Sequence, residues 1–188
     1  MKNSELSLLY RYSKRSCVNK EINWDDYISG IEIEIDGDPI TANTFSLSEY
    51  DRENGNYLSV LKSIRKNELE RLQQCFLWFK DRRKNFPQFP AFFGFCELNA
   101  QEILALINDE ERLIDIKKHD SSPETDQRAI HYGIHYLDIE KELEIQNSLV
   151  AISKFYPCRK NSNLSITEVS KIGDDNITKN FGKLDSED

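Results

Sequence analysis

Residues 129–138, AIHYGIHYLD, decide how the rest of the chain is read. They hold two of the three histidines, His131 and His135, with Gly133 between them. On a helix these rings would share a face one turn apart and could chelate one ion. The residues specify a strand instead. Ile130, Tyr132, Ile134 and Tyr136 alternate with His131, Gly133, His135 and Leu137, a period of two. Aromatic and β-branched side chains fit a pleated surface, and Gly133 would cost a helix about 1 kcal/mol relative to alanine. On a strand both rings still point one way. Four residues at about 3.3 Å each hold them roughly 13 Å apart, too far for one shared ion. The expectation is therefore no metal site. What remains is an apolar face and a His-Gly-His face. At Gly133 the backbone is bare, and a ligand or another backbone can approach closely. A competing reading packs this face under a helix, its ring nitrogens satisfied by carbonyls.

Outward from this strand the chain alternates strand and helix signals. Residues 6–12 form a short apolar run ending in Tyr10-Arg11-Tyr12. Ile31, Ile33 and Ile35 alternate with acidic residues before the Gly37-Asp38-Pro39 stop, a half-buried strand. Asp36 and Asp38 do not open a calcium loop, because Pro39 intrudes and the required glycine is missing. DRENGN at 51–56 is a turn, and 57–64 reads as a strand followed by a helical turn, or as a short helix. Asn67 followed by Glu70 resembles a capping box, and Leu69, Leu72, Phe76 and Phe79 then recur at helical spacing. Lys80, Arg82, Arg83 and Lys84 suit the last turn of that helix, and Pro87 and Pro90 forbid its continuation. Residues 91–98 read as a buried strand. Asn99 with Glu102 caps a second helix over 99–108, and 112–118 alternates as a strand. Residues 119–127, beginning at His119, form a polar loop. A third helix spans 140–156 and is closed by Pro157. The fold expectation is one α+β domain over 1–158, a mixed or antiparallel sheet of about four to six strands covered by about three helices. Residues 159–188 are rich in Asn, Ser, Asp and Lys and read as a polar tail.

The bulk numbers narrow the function classes. A net charge of -8 argues against nucleic acid, which needs a positive surface, and fits a protein partner with a basic surface. Charged residues make up 31% of the chain, and no apolar run approaches the length of a membrane span. The N-terminus lacks a signal-peptide core, so the expected location is the cytoplasm. The four cysteines show no CxxC pair and read as reduced, buried thiols. Phosphate-loop, dinucleotide, HExxH and GxSxG patterns are absent, and no cofactor is expected.

Three positions carry chemistry if the fold brings them together. Arg11 would anchor an anion, Ser59 would bind or attack, and His131 would move a proton near neutral pH. His135 and Gly133 would line the same surface as ligand-binding positions. The competing reading makes Arg11 a surface ion pair, Ser59 a turn hydroxyl and His131 a core ring.

The order LLYRYS (8–13), ANTF (42–45), LSV (58–60) and the histidine strand at 129–136 resembles a loose group of small, largely uncharacterised bacterial proteins. The resemblance spans about 8–156. The chain departs from it at Tyr132, where a small residue usually follows the histidine, and in its 68–84 helix and polar tail. It implies no activity and assigns no catalytic role, but it favours Arg11, Ser59 and His131 as positions to test.

The leading expectation is an intracellular protein-binding module, with an immunity, antitoxin or defence-accessory role as its concrete form. The alternative is a small transferase or hydrolase acting on a phosphorylated or nucleotide-like ligand through Arg11 and His131. The oligomeric state is not legible.

Overall fold

The alternating residues around Gly133 form a strand with a neighbour on each side. The computed structural model describes residues 8–28, 33, 35–68, 70–72, 74, 75, 78, 94–108, 111–121 and 128–157. In it β1 (Leu8–Ser13), β2 (Tyr57–Lys62), β3 (Gly94–Asn99), β6 (Ile114–Lys118), β7 (Ile130–Tyr136) and β8 (Lys154–Pro157) build one antiparallel sheet. The strand order is β6-β7-β2-β1-β3-β8. A separate ribbon pairs β4 (Ile107–Asn108) with β5 (Glu111–Arg112). The class is α+β, as expected, with the sheet in its antiparallel form. No helix among the described residues is long and apolar enough to cross a membrane.

Period two sorts each strand between two faces. Leu9, Leu58, Val60, Leu98, Ile114, Ile134 and Tyr136 point into the main core. There they meet Phe45 from the 3-10 turn Ala42–Phe45 and Ile145, Leu149 and Val150 from a helix at Glu142–Ala151. Trp24 of α1 (Trp24–Ile28) and Ile103 of α3 (Ala100–Leu104) close the same cluster. The helix Glu142–Ala151 is α4, and α2 is the short Glu49–Glu53. Each fully buried aliphatic side chain contributes about 1.5–3 kcal/mol.

The opposite face carries Tyr10, Leu61, Phe95, His131 and His135. Helical backbone at Leu72, Gln74, Cys75 and Trp78 belongs to this side, with Leu72 and Cys75 fully buried. Polar bonds fix it to the strands. Arg71 Nε donates to Tyr10 Oη at 2.6 Å, the Tyr10 hydroxyl donates to the Glu97 carboxylate, and Ser63 Oγ donates to Gln74 Oε1 at 2.6 Å. Burial first, then the Glu97 carboxylate, pushes the Tyr10 hydroxyl well above its usual range, so it stays a donor.

Several expected boundaries change. The second helix stops at Leu104, and 107–108 turns into the β4–β5 ribbon. Its cap is as read: the Asn99 side chain accepts from Gln101 N. The third helix ends at Ala151, and Lys154–Pro157 becomes an edge strand paired with β3. The expected strand at 31–35 falls largely outside the described residues, and Ile33 and Ile35 belong to no regular element. The basic cluster at 80–84 and the tail at 159–188 lie outside the described residues.

Candidate functional site

The site begins where two strands part. β1 and β2 pair only at Leu9↔Lys62 and Tyr10↔Leu61. Beyond those positions β1 continues against β3 as far as Ser13↔Gly94, and β2 continues against β7 as far as Tyr57↔His135. The divergence leaves backbone carbonyls without a strand partner, which a buried chain must satisfy otherwise. Arg11 does so. Its Nη1 donates to Ser59 O at 2.9 Å and its Nε to Thr44 O at 3.4 Å. The guanidinium also lies over the Tyr12 ring, 4.4 Å from its centroid. Arg11 is only 8% exposed. No carboxylate forms an ion pair with it among the described residues, so its charge is carried by carbonyl dipoles and a ring face.

The parting of the strands opens a pocket of about 390 Å³. Arg11, Ser59 and His131 all line it, together with Tyr10, Tyr12, Ser48, Tyr50, Asp51, Tyr57 and Trp78. Ser59 Oγ lies 3.1 Å from His131 Nε2, so the hydroxyl can donate to the ring. His131 sits on the β7 face turned away from the main core. Trp78 covers one side of it at 5.9 Å between ring centroids, and Tyr57 flanks it at 6.2 Å. Asp51 is engaged in a capping box. Ser48 N and Oγ both donate to its carboxylate, at 2.9 and 2.7 Å, and Asp51 N donates to Ser48 Oγ at 3.2 Å. Asp51 is therefore a wall of the pocket already committed to local bonds.

The surface at Gly133 is occupied by part of the chain itself. His119 lies just past β6, and its backbone N–H donates to His131 O at 3.0 Å. It is the first residue after β6, and this backbone bond ties the start of the loop to β7. Its ring lies across Gly133, where an added Cβ would come within 2.5 Å of His119 Nε2 and 2.8 Å of Tyr57 Cδ2. It stacks on Tyr57 at 4.1 Å and reaches His135, with the two Nε2 atoms 2.9 Å apart. All three histidines of the chain thus gather on one sheet face. Burial holds the His119 and His135 rings below the usual histidine range. The Lys117 charge adds to this at both, and His119 itself adds to it at His135. Among the described residues no three His, Cys, Asp or Glu side chains are grouped to hold a metal ion.

Arg11, Ser59 and His131 therefore share one pocket, with His135 and Gly133 on the adjoining surface. Sequence reasoning missed His119, Tyr57, Trp78 and Tyr12. The β6–β7 register would have exposed His119, since it continues to place 119 opposite 131, but the intervening polar residues hide that register in the sequence. The buried thiols take no part. Burial pushes Cys75 and Cys96 well above the ordinary thiol range. No protein-family model matches the chain, and no significant match is found among the curated proteins or the solved structures.

Proposed function

We propose that the chain is a small hydrolase or transferase acting on an anionic ligand, phosphorylated or nucleotide-like, held in the pocket between β1 and β2. The observation that carries the reading is the Ser59 Oγ–His131 Nε2 contact of 3.1 Å in a pocket that also presents the buried Arg11. A serine hydroxyl is a weak nucleophile until a base takes its proton, and a neutral imidazole within hydrogen-bond reach does that near neutral pH. Ser59 would attack, His131 would take its proton and return it to the leaving group, and Arg11 would stabilise the charge that develops on the transferred group. Tyr12, Tyr57 and Trp78 supply flat apolar walls suited to a planar ligand portion. Among the described residues Cys17, Cys75 and Cys96 are free and buried, which supports a reducing, cytoplasmic setting.

The test uses p-nitrophenyl phosphate, p-nitrophenyl acetate and nucleoside triphosphates as substrates, with a fluorophosphonate probe read by intact mass. Turnover should fall at least about 100-fold in Ser59→Ala and in His131→Gln, and the probe should label Ser59. Turnover unchanged in both variants, or neither turnover nor labelling in the unsubstituted chain, would sink the reading.

A second reading, a protein-binding module, is favoured by three exposed apolar side chains within seven residues: Leu137, Ile139 and Leu143. With the net charge of -8 they suit a partner that joins an apolar patch to a basic rim. In that case Leu143→Asp should abolish capture of the partner and Ser59→Ala should leave it intact. The opposite pattern excludes this reading.

A further inference from the structure

His119 and His135 point their Nε2 atoms at each other across Gly133, 2.9 Å apart, on the face of β7 turned away from the main core. Two neutral imidazoles this close leave one shared proton, or one shared cation, between two lone pairs. The rings are tilted by only 15°, with centroids 5.1 Å apart. Two imidazole nitrogens at about 2.0–2.1 Å from a tetrahedral ion lie about 3.4 Å apart, so a chelate forms when the pair opens by about 0.5 Å and the rings turn until both lone pairs converge on one point. His119 is exposed, so its ring can make that adjustment toward solvent while keeping its stack on Tyr57.

We propose that His119 and His135 form a two-histidine site for a divalent transition-metal ion of the zinc, nickel or copper class. The surroundings support it. Both rings favour the neutral form, which is the ligating form. Tyr57 stacks on His119 and lies 5.3 Å from the His135 centroid, holding both rings from the pocket side. Asp115, opposite His135 in the ladder, favours a cation; Lys117 opposes one but is drawn to Asp115 at 3.7 Å. With two protein nitrogens, water fills the other positions, so the site is open and accessible. Imidazole donors select zinc, nickel and copper over calcium or magnesium. The site does not depend on the Ser59–His131 chemistry, because it uses different nitrogens.

The experiment is titration of the intact chain with zinc chloride, followed in the imidazole region of the proton NMR spectrum, where only three histidines contribute. Saturable shifts of His119 and His135, with His131 unmoved, are the expected result. In parallel, competition with a chromophoric chelator should give one bound zinc or nickel per chain. His119→Ala and His135→Ala should each weaken binding at least about tenfold, and His131→Ala should change it less than about threefold. Magnesium should not compete. The proposal is overturned if no histidine resonance responds to zinc, if His131 responds with the others, or if binding survives both single substitutions. Should a variant fail to fold, the spectrum of the unsubstituted chain decides.

Discussion

At Gly133 the absence of a side chain is what lets another ring in. A Cβ there would come within 2.8 Å of both the His119 and Tyr57 rings, and both would have to shift. Gly133→Ala should therefore cost about 2 kcal/mol, the middle of the overpacking range, while displacing His119 from His135. Gly94→Ala should cost more, about 3 kcal/mol, because its Cβ would meet the backbone of Tyr156 and Pro157 and push β8 away. Urea midpoints of the two variants check the order. The histidines also set a pH dependence. His119 and His135 have folded-state affinities for protons below the usual value near 6.5, so below that pH the unfolded chain binds more protons than the folded one. Stability should be flat above about pH 7 and fall as the pH drops through 6.5 toward the lowered values. Replacing both rings by glutamine should flatten that slope in thermal melts across pH 5–8. At this scale residue type carried much of the information: an arginine, a serine and a histidine on separate segments were legible as candidates. Their meeting was not, and neither was His119, because both depend on strand register.

Among the elements, the parting of β1 from β2 is bridged by the Arg11 side chain, which donates to Ser59 O. Arg11→Met removes the donors to the Ser59 and Thr44 carbonyls and should cost about 1–3 kcal/mol in urea unfolding. Arg11→Lys should not restore it, since one ammonium cannot reproduce the planar fork that reaches two carbonyls. Helix ends behave more simply. Ser48→Ala should lose about 1 kcal/mol with the capping box of α2. Elements with strict alternation, β6 and β7, were readable because period two is a property of the strand itself. β8 was not. Phe155 and Tyr156 follow α4 so closely that they extend its pattern, and only the pairing Cys96↔Phe155 and Phe95↔Tyr156 makes them a strand. The cap at Asn99 was readable, but the helix it opens is five residues long, since Leu104 is exposed and 107–108 is taken by pairing with β5.

Taken whole, the molecule follows its α+β pattern, with helical elements on both sides of one sheet. The sequence carried the class because alternation and helical spacing are both local. It could not carry the strand order, which places β1 between strands that come later in the chain. That order has a consequence of its own. The sheet consists of two three-stranded leaves, β6-β7-β2 and β1-β3-β8, joined by the pairs Leu9↔Lys62 and Tyr10↔Leu61. A ligand seated between the leaves touches both, so its binding energy adds directly to their cohesion and raises the melting temperature with concentration. The two shared rungs work as a caliper. They fix how wide the leaves stand, and so set the girth of the molecule the leaves can grip.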